Sequence, residues 1–434
     1  MSLVVMGLSH RTSPMEVLER ASLDAEATTR LRAALRSSEF LSESLVVATC
    51  NRLEVYAEAV TFHGAVDDIG GALALASGVP REELTPHLYV HYEDRAVAHT
   101  FSVACGLESM ALGEGQILGQ LRTALATAQD AETAGASLNQ LVQQALRVGK
   151  KAHSETAIDR AGPSLVEGGL ALATETLGDV AACRVLVMGA GAMSSLAATT
   201  LVRACVGDVV VVNRTREKAD HLAASLGVTS GSWDDLEDEL AAADLVLACT
   251  GATGHVVTAD MAAKLHERRG GKPQVYLDLA LPRDIDPDAA EFATVIDLAG
   301  IGRFIGSADG EEPAVAAVRD LVTAEVADYL VLRRQKAVAP TVAALRRRAA
   351  DVVRSELDRL GAKLPDLDDA VRRELENTVN RVANQLLHAP TVRVKELASA
   401  EGAGDYTAAL RDLFDLDSRD IATVSAPPGT GCSA

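Results

Sequence analysis

The N-terminal part of the chain alternates between apolar runs of strand character and stretches with helical spacing. The predicted strands are Leu3–Leu8, Leu45–Thr49, Leu53–Ala59 and His87–Tyr92, and the predicted helices are Thr28–Ser37 and Ala65–Ala76. The order β-α-β-β-α-β is typical of a split βαβ unit, so we predict a ferredoxin-like sheet. The connection between the two middle strands is short and polar, and such a connection can present a side chain to a ligand.

Helical spacing then continues from Arg95 to Ser154, with an interruption at Gly106–Gln116. Ile158–Pro163 has the character of a linker. Ser164 is a suitable N-cap for a further helix that ends at Leu177.

A second pattern begins with R-V-L-V-M-G-A-G-A-M-S-S-L (184–196), which predicts a strand, a glycine turn and a helix. Further strands are predicted at 209–215, 244–250 and 275–279. Strands and helices that alternate at this spacing indicate a doubly wound parallel sheet. From Pro313 onward the chain is dense in Ala, Leu, Arg and Glu with helical spacing, so the whole is predicted to be a multidomain α/β protein with an all-helical end.

Composition narrows the classes of function. The net charge of −20 counts against indiscriminate binding of nucleic acid, because phosphate contacts need Lys and Arg. Six cysteines without ligand spacing argue against a disulfide framework or a zinc site, and they fit a reducing compartment. No apolar run reaches the roughly 20 residues of a membrane span, and no signal segment is present, so we expect a cytoplasmic protein.

The glycine turn is the clearest candidate for a cofactor site. It approximates the G-x-G-x-x-G fingerprint, follows a predicted strand and opens a helix, as the dinucleotide motif requires. The helix N-terminus offers unpaired N–H groups to a pyrophosphate. The six residues of this turn are Gly189, Ala190, Gly191, Ala192, Met193 and Ser194, with serine at the third glycine position.

The end of the second strand discriminates between nicotinamide cofactors. An NAD site usually carries an acidic residue there for the ribose 2′-hydroxyl. This chain has Asn213, Arg214 and Thr215 instead, and a guanidinium suits a phosphate. We therefore expect NADP(H).

Cys50 follows an apolar run and precedes Arg52 by two positions. On the residues alone, packing at a strand end is the more common role of such a cysteine. A thiolate beside a nicotinamide cofactor could instead form a thioester with an acyl donor for reduction, or add to an aldehyde for oxidation. A nearby arginine favours the thiolate. The remaining cysteines in apolar surroundings are expected in the core: Cys105, Cys183, Cys205 and Cys249.

Four segments together resemble glutamyl-tRNA reductase. They are G-L-S-H-R-T-S-P-M-E-V-L-E-R (7–20), A-T-C-N-R-L-E-V-Y (48–56), G-L-E-S-M-A-L-G-E-G-Q-I-L-G-Q (106–120) and D-L-A-L-P-R-D-I-D-P (278–287). The resemblance implies NADPH-dependent reduction of the glutamyl ester on tRNA(Glu) to glutamate-1-semialdehyde, which begins five-carbon tetrapyrrole (porphyrin) synthesis. It also implies a homodimer and a possible partnership with glutamate-1-semialdehyde aminotransferase.

The resemblance also implies residue roles. Cys50 is the expected nucleophile, and His99 is expected to assist in substrate placement or proton supply. Arg52 is the expected partner of a substrate carboxylate, and Glu114 is a candidate for the substrate ammonium. The expected substrate-contacting set is Thr49, Asn51, Arg52, Ser109, Glu114, Gly115, Gln116 and Gln120. His10 stays open between a turn residue and a substrate neighbour.

The expected domains are a catalytic domain over 1–155, a Rossmann-type NADP-binding domain over 160–305 and a helical dimerisation domain over 312–415. Residues 416–434 are rich in Pro, Gly and Ser and are expected to be disordered. Five arginines of a basic stretch are expected to face outward: 333, 334, 346, 347 and 348. Two rival functions remain, an NADP-dependent aldehyde or shikimate-type dehydrogenase and a non-catalytic regulator that binds tRNA or NADP.

Overall fold

The structure is a computed structural model that describes residues 2–49, 51–158, 164–252, 254–306, 313–365, 368–397 and 413. The chain divides into two compact units, 1–323 and 324–434. Cys50, part of the predicted linker and the predicted disordered tail lie outside the described residues.

The first unit begins with a four-stranded antiparallel sheet and its helices. The strands are β1 (Ser2–Ser9), β2 (Leu41–Ala48), β3 (Arg52–Ala59) and β4 (Tyr89–Tyr92). The helices are α1 (Met15–Arg20), α2 (Ala25–Arg36), α3 (Phe62–Ser77), α4 (Arg81–Leu84), α5 (Asp94–Ala104), α6 (Gln116–Asp130) and α7 (Ala136–Glu155).

The strand order β2-β3-β1-β4 confirms the predicted ferredoxin-like sheet. Side chains alternate across the sheet along β3, because successive residues of a strand point to opposite faces. Leu53, Val55 and Ala57 belong to an apolar core that includes residues of α2 and α3. Arg52, Glu54 and Tyr56 take the alternate positions, and all three are buried. One strand therefore carries the core on one face and polar groups on the other.

The second part of this unit is a six-stranded parallel sheet, which confirms the predicted doubly wound domain. Its strands are β5 (Arg184–Met188), β6 (Asp208–Val212), β7 (Thr229–Ser230), β8 (Leu245–Ala248), β9 (Val275–Asp278) and β10 (Thr294–Asp297). Its helices are α8 (Leu165–Leu177), α9 (Ala192–Arg203), α10 (Arg216–Leu226), α11 (Leu236–Ala242), α12 (Ala259–Arg268) and α13 (Leu298–Gly306).

The strand order β10-β9-β8-β5-β6-β7 reverses direction between β5 and β8, where a ligand crevice is expected in such sheets. The predicted N-cap is present, because Ser164 forms a capping box with Glu167. The hydrophobic pattern of the sequence did not predict β7 and β10, which have only two and four residues.

The loop after β9 joins the two parts of the first unit. The backbone N–H of Arg283 donates to Glu19 Oε1 of α1 at 2.7 Å, and its guanidinium approaches Asp297 at 3.3 Å. Met15 and Leu281 pack against the cores of both sheets. The D-L-A-L-P-R-D segment is thus a structural bridge between the two domains.

The C-terminal helices are α14 (Pro313–Lys363) and α15 (Asp369–Leu397). Of the five arginines expected outside, Arg346, Arg347 and Arg348 are exposed, whereas Arg333 and Arg334 are partly buried. Among the described helices, none has the length and apolar character needed to cross a membrane.

The cysteines correct one expectation. Cys105 and Cys183 are buried as predicted, and Cys249 is partly buried. The core prediction is wrong for Cys205, which is exposed and has a φ of 59° just beyond α9. An apolar neighbourhood in the sequence did not reveal that the chain turns back toward solvent there.

Candidate active site

The turn between β2 and β3 is held by backbone bonds around the position of the predicted nucleophile. Thr49 N–H donates to Arg52 O at 2.9 Å, and Asn51 N–H donates to Thr49 Oγ1 at 3.2 Å. Asn51 O in turn accepts from His10 N–H at 3.1 Å, which ties the turn to the end of β1. Cys50 lies outside the described residues, and its two chain neighbours are both held in this network.

A small cavity opens beside this turn. Its volume is about 20 Å³, enough for about one water. Seven of the predicted substrate-contacting residues line it: Thr49, Asn51, Arg52, Ser109, Glu114, Gln116 and Gln120. Gly115 does not line this cavity and lines two neighbouring cavities instead. His99 lies behind the cavity wall, where it contacts Glu54.

Arg52 and Glu54 form a buried ion pair beneath the cavity. Arg52 Nη1 lies 3.0 Å from Glu54 Oε1, and the two side chains are 2% and 0% exposed. Arg52 Nη2 donates to Glu108 O at 2.5 Å. Burial alone would raise the pKa of Glu54, but the charge of Arg52 and the contact with His99 hold it well below its usual range. The pair is therefore ionised.

The Glu54 carboxylate accepts further bonds from three elements. Tyr56 OH donates to Oε2 at 2.6 Å, and Tyr89 OH of β4 donates to Oε1. His99 Nε2 of α5 lies 2.7 Å from Oε1, and its ring stacks on His91 with centroids 4.3 Å apart. Burial, and then the charge of His99, lower the pKa of His91 to about 4. His99 therefore reaches the cavity only through Glu54 and Arg52.

Glu114 enters the cavity with an unsatisfied carboxylate. Burial raises its pKa, and no hydrogen bond or ion pair of its side chain occurs among the described residues. A buried carboxylate of this kind is stabilised when a cationic group binds. The same small cavity is therefore lined by a guanidinium and by a buried carboxylate that has no partner among the described residues.

Two more polar atoms near the turn are buried without a partner in the described part of the chain, Asn51 Oδ1 and His10 Nδ1. Burial, followed by the charges of Arg52 and Arg11, lowers the pKa of His10 to about 4, so its ring is neutral at pH 7. Buried polar groups rarely stay unpaired in a functioning protein, so these atoms are further candidates for a ligand or water.

The glycine turn after β5 has the shape of a dinucleotide cradle. Gly189 has φ +112°, and an added Cβ would lie 2.5 Å from Cys249 O. Gly191 is the N-cap of α9, and apart from its chain neighbours no atom of the described residues lies within 4 Å of the position of an added Cβ. Ser194 is fully buried and lies 3.5 Å from Cys249 O, so serine fits the third glycine position. Ala190, Ala192 and Met193 complete the turn into the helix.

The end of β6 presents a cation. Arg214 is exposed and stands over the Trp233 ring, 5.6 Å from its centroid. Asn213 Nδ2 donates to Thr215 O at 2.9 Å, which closes the loop beneath the arginine. None of these three residues is acidic. The contact with Trp233 holds the Arg214 guanidinium at the end of β6 and leaves it exposed to solvent.

Glu54, Tyr56, Tyr89 and His91 were missed from the sequence as site residues. A signal was present, because Arg52, Glu54 and Tyr56 place polar groups at alternate positions of an otherwise apolar strand. Tyr89 reaches Glu54 because β4 pairs with β1 in the same sheet, and His99 reaches it because α5 packs against the sheet. His91 stacks on His99.

The fold and the two sites define a nicotinamide-dependent oxidoreductase with a separate substrate domain. Three family models match successive parts of the chain: the glutamyl-tRNAGlu reductase N-terminal domain over 6–156, shikimate/quinate 5-dehydrogenase over 171–299 and the glutamyl-tRNAGlu reductase dimerisation domain over 317–416.

Full-length relatives agree. Glutamyl-tRNA reductase 1 of a Nocardioides species is 48% identical, covering 99% of this chain and 100% of its own length. Glutamyl-tRNA reductase of Kineococcus radiotolerans is 50% identical, covering 96% of this chain and 94% of its own. A solved glutamyl-tRNA reductase from Methanopyrus kandleri is 29% identical with a TM-score of 0.46, covering 95% of this chain and 99% of that chain. The chain belongs to the glutamyl-tRNA reductase family.

The buried pair yields a stability prediction. In Glu54→Gln, Arg52 loses its counter-charge while remaining buried, and breaking such a pair costs roughly 3–5 kcal/mol of unfolding free energy. The pKa of Glu54 is lower in the folded state than in the unfolded state. The ionised carboxylate therefore stabilises the fold fully above its unfolded-state pKa, and this stabilisation is lost as pH falls through its folded-state pKa. Thermal and denaturant unfolding between pH 7 and pH 3 should show a lower stability and a shallower acid slope for the variant.

Glu83→Gln is the matched control, because Glu83 pairs with Arg20 on the surface. Its effect on the unfolding free energy should be much smaller than that of Glu54→Gln, because solvent screens an exposed pair. If both variants lowered the unfolding free energy equally, the buried pair would be no more important for stability than a surface pair.

Proposed function

We propose that the chain reduces the glutamyl ester of glutamyl-tRNA(Glu) to glutamate-1-semialdehyde with NADPH and releases the tRNA. The observation that carries the proposal is the cavity at the β2–β3 turn, where seven side chains surround a volume flanked by the neighbours of Cys50. Residues 1–155 would form the catalytic domain, 160–305 the NADP domain and 312–415 the dimerisation domain. A cytoplasmic location stays a prediction from cysteine usage.

The proposed chemistry begins at the thiol of Cys50. The thiolate attacks the ester carbonyl carbon, a carbon–sulfur bond forms, and the ester carbon–oxygen bond breaks as the ribose oxygen leaves with a proton. NADPH, when bound, supplies the hydride that reduces the thioester carbonyl carbon. The carbon–sulfur bond then breaks, so the aldehyde leaves and the thiolate is restored. The complete reaction consumes one ester, one NADPH and one proton, and it yields one aldehyde, one tRNA and one NADP⁺.

Arg52 and Glu114 are proposed to hold the two charged ends of the glutamyl group. The observed bonds of Arg52 use one N–H on Glu54 and one on Glu108, so the rest of its five donors stay free for a substrate carboxylate. Glu114 is proposed to bind the α-ammonium, because its buried carboxylate has no partner among the described residues. The guanidinium of Arg52 would discriminate the glutamyl group from aminoacyl groups with uncharged side chains, since the α-ammonium is common to all of them.

His99 is proposed to act as a positioning residue. It contacts Glu54, which in turn fixes Arg52, so its effect on substrate passes through two side chains.

NADPH fits the residues of the second domain. The open space at Gly191 and the close approach at Gly189 suit a pyrophosphate above the helix N-terminus. The proposed residues for the cofactor are Gly189 to Ser194 and the loop Asn213, Arg214 and Thr215. Arg214 is proposed to bind the 2′-phosphate.

The nucleophile is tested by Cys50→Ser, which replaces a strong nucleophile by an unactivated hydroxyl. We expect loss of NADPH oxidation with glutamyl-tRNA, while NADPH binding and thermal unfolding stay unchanged. Mass spectrometry of the unaltered chain with glutamyl-tRNA and no NADPH should show a glutamyl adduct on Cys50.

Cys205→Ser is the control, because Cys205 is exposed in the other domain. Near-normal turnover of Cys50→Ser would refute the thioester route. A shikimate-type dehydrogenase would oxidise or reduce its own substrate without consuming the acyl ester, and a non-catalytic regulator would consume no NADPH.

Cofactor choice is tested by Arg214→Ala. Loss of a charge-assisted phosphate contact should weaken NADPH binding by about ten- to a hundredfold, or roughly 1.5–3 kcal/mol. NADH binding should hardly change. Arg216→Ala, which removes an exposed arginine paired with Asp220, serves as the control in the same titration. Equal weakening toward both cofactors would mean that Arg214 does not contact the 2′-phosphate.

A homodimer is proposed from the C-terminal unit. Helix α15 exposes Val379, Val382 and Leu386 at helical spacing, and Leu386 is 71% exposed. An apolar stripe left open along a helix is stabilised by a second helix surface, and a two-fold dimer is the commonest such arrangement. The match to a dimerisation domain over 317–416 supports this assignment. A further complex with the aminotransferase stays a prediction, which co-sedimentation of the two proteins would test.

Light scattering checks the assembly. The intact chain should have twice its 45.4 kDa mass, and Leu386→Glu should shift it toward the monomer because a charge enters the apolar stripe. Leu75→Glu is the control, because Leu75 is 79% exposed on α3. A monomer mass for the unaltered chain at working concentrations would refute the dimer.

A further inference from the structure

A larger groove borders the glutamyl cavity. Its volume is about 850 Å³, with the start of α2 on one side, α6 on the other and the end of β2 as the floor. Gln116 and Gln120 line both the groove and the cavity, so the two spaces are contiguous. The groove is therefore large enough for a group many times bigger than the single water that fits the cavity.

The floor of the groove is the free edge of a sheet. Among the described strands, β2 pairs only with β3, and in an antiparallel ladder alternate residues point their N–H and C=O away from the partner. Thr49 bonds to Arg52, so the outward residues are Ala48, Val46 and Ser44. Ser44 confirms this direction, because its N–H donates outward to Thr133 O at 2.8 Å.

The outward groups of Val46 and Ala48 have no hydrogen-bond partner in the part of the chain that the structure describes. Val46 is nevertheless only 4% exposed. A buried backbone group without a partner costs free energy, so this short edge is suited to a bound ligand that supplies the missing bonds.

The carbonyl of Val46 and the N–H of Ala48 form an acceptor and a donor side by side. This arrangement is complementary to the Watson–Crick edge of adenine, whose N6 amino group donates and whose N1 accepts. We propose that the groove binds the 3′-terminal adenosine of the tRNA, with adenine on Val46 O and Ala48 N–H. The inference rests on the proposed function, because a glutamyl ester on tRNA is carried by the ribose of that adenosine.

The position along the chain fits the chemistry. Ala48 precedes Cys50 by two residues, and two residues span at most about 7 Å. The adenine and the ester carbonyl are separated by the ribose alone. A base on Ala48 would therefore hold its ribose at the opening that leads to the nucleophile, with the glutamyl group directed into the cavity beside it.

Charge in the groove favours a nucleotide. Arg32 of α2 and Arg122 of α6 line it, and neither forms an ion pair or side-chain hydrogen bond within the described ranges. The acidic side chain of the groove, Asp24, accepts from Ala27 N–H as the cap of α2. Two unpaired guanidinium groups are suited to the phosphates that precede the terminal adenosine.

Substitution of a glycine that lines the groove would fill the groove without removing an existing side-chain contact. Gly119 lies within α6 and lines the groove, and among the described residues outside its own helix backbone no atom lies within 4 Å of an added Cβ. Gly119→Leu should raise the KM for glutamyl-tRNA at least tenfold, while turnover of a nucleoside-free glutamyl thioester and NADPH binding stay within twofold. Gly71→Leu is the control, because Gly71 lies within α3 and also faces open space.

The unaltered chain provides the second measurement. A glutamyl-tRNA that ends in inosine presents an acceptor at position 6 and a donor at N1, the reverse of adenine, so its kcat/KM should fall about ten- to a hundredfold. A tRNA ending in 7-deazaadenosine keeps the adenine edge and should be used normally. Equal use of inosine- and adenosine-ended tRNA would overturn the proposal, as would a Gly119→Leu variant with an unchanged KM for tRNA.

The two proposals fail differently. If the unaltered chain oxidised no NADPH with any glutamyl-tRNA, the reductase function would be refuted and the adenosine site with it. If it reduced all the terminal variants equally, the reductase function would stand and only the adenosine site would be refuted.

Discussion

The buried ion pair between Arg52 and Glu54 is the interaction on which the substrate domain depends. Removing two charges from water costs several kcal/mol each, and the pair is tolerable only when further bonds satisfy the remaining polar atoms. Here the carboxylate is also bonded to Tyr56, Tyr89 and His99, which come from β3, β4 and α5. The carboxylate fixes one side of the Arg52 guanidinium, and Arg52 also lines the cavity.

The pair also constrains the register of the sheet. A slip of one residue in β3 would turn Arg52, Glu54 and Tyr56 toward the apolar core and bring Leu53 and Val55 to the polar face. Such an exchange would bury unpaired charges in an apolar core, so the ladder has one strongly preferred register. That register in turn determines which backbone groups of β2 face its free edge. The orientation of the turn, the cavity and the groove therefore follows from the same polar strand face.

The sequence predicted the order of elements, both sheets and the glycine turn, because local periodicity and turn chemistry are written in neighbouring residues. It also named the seven residues that the structure gathers at the cavity, through resemblance. Tyr89 and His91 could not be found in this way, since the contact of Tyr89 with Glu54 and the stacking of His91 on His99 depend on tertiary packing. The short strands β7 and β10 were missed because two to four residues carry too little periodicity. Glu54 could have been found, since an acidic residue inside a buried strand demands a partner.

The proposed sites for the cofactor, the terminal adenosine and the glutamyl group would rely on different parts of the chain for recognition. At Gly189 and Gly191, and along the edge at Val46 and Ala48, the groups proposed to bind pyrophosphate and adenine belong to the backbone, whereas Arg214, Arg32 and Arg122 are proposed for phosphates. Pyrophosphate and adenine are common to many molecules, and backbone N–H and C=O groups bind them with little dependence on side-chain identity. Discrimination of a glutamyl group requires opposite charges at a fixed separation, which backbone groups cannot supply. We propose that Arg52 and Glu114 supply this pair of opposite charges in the small cavity, where the substrate would be selected.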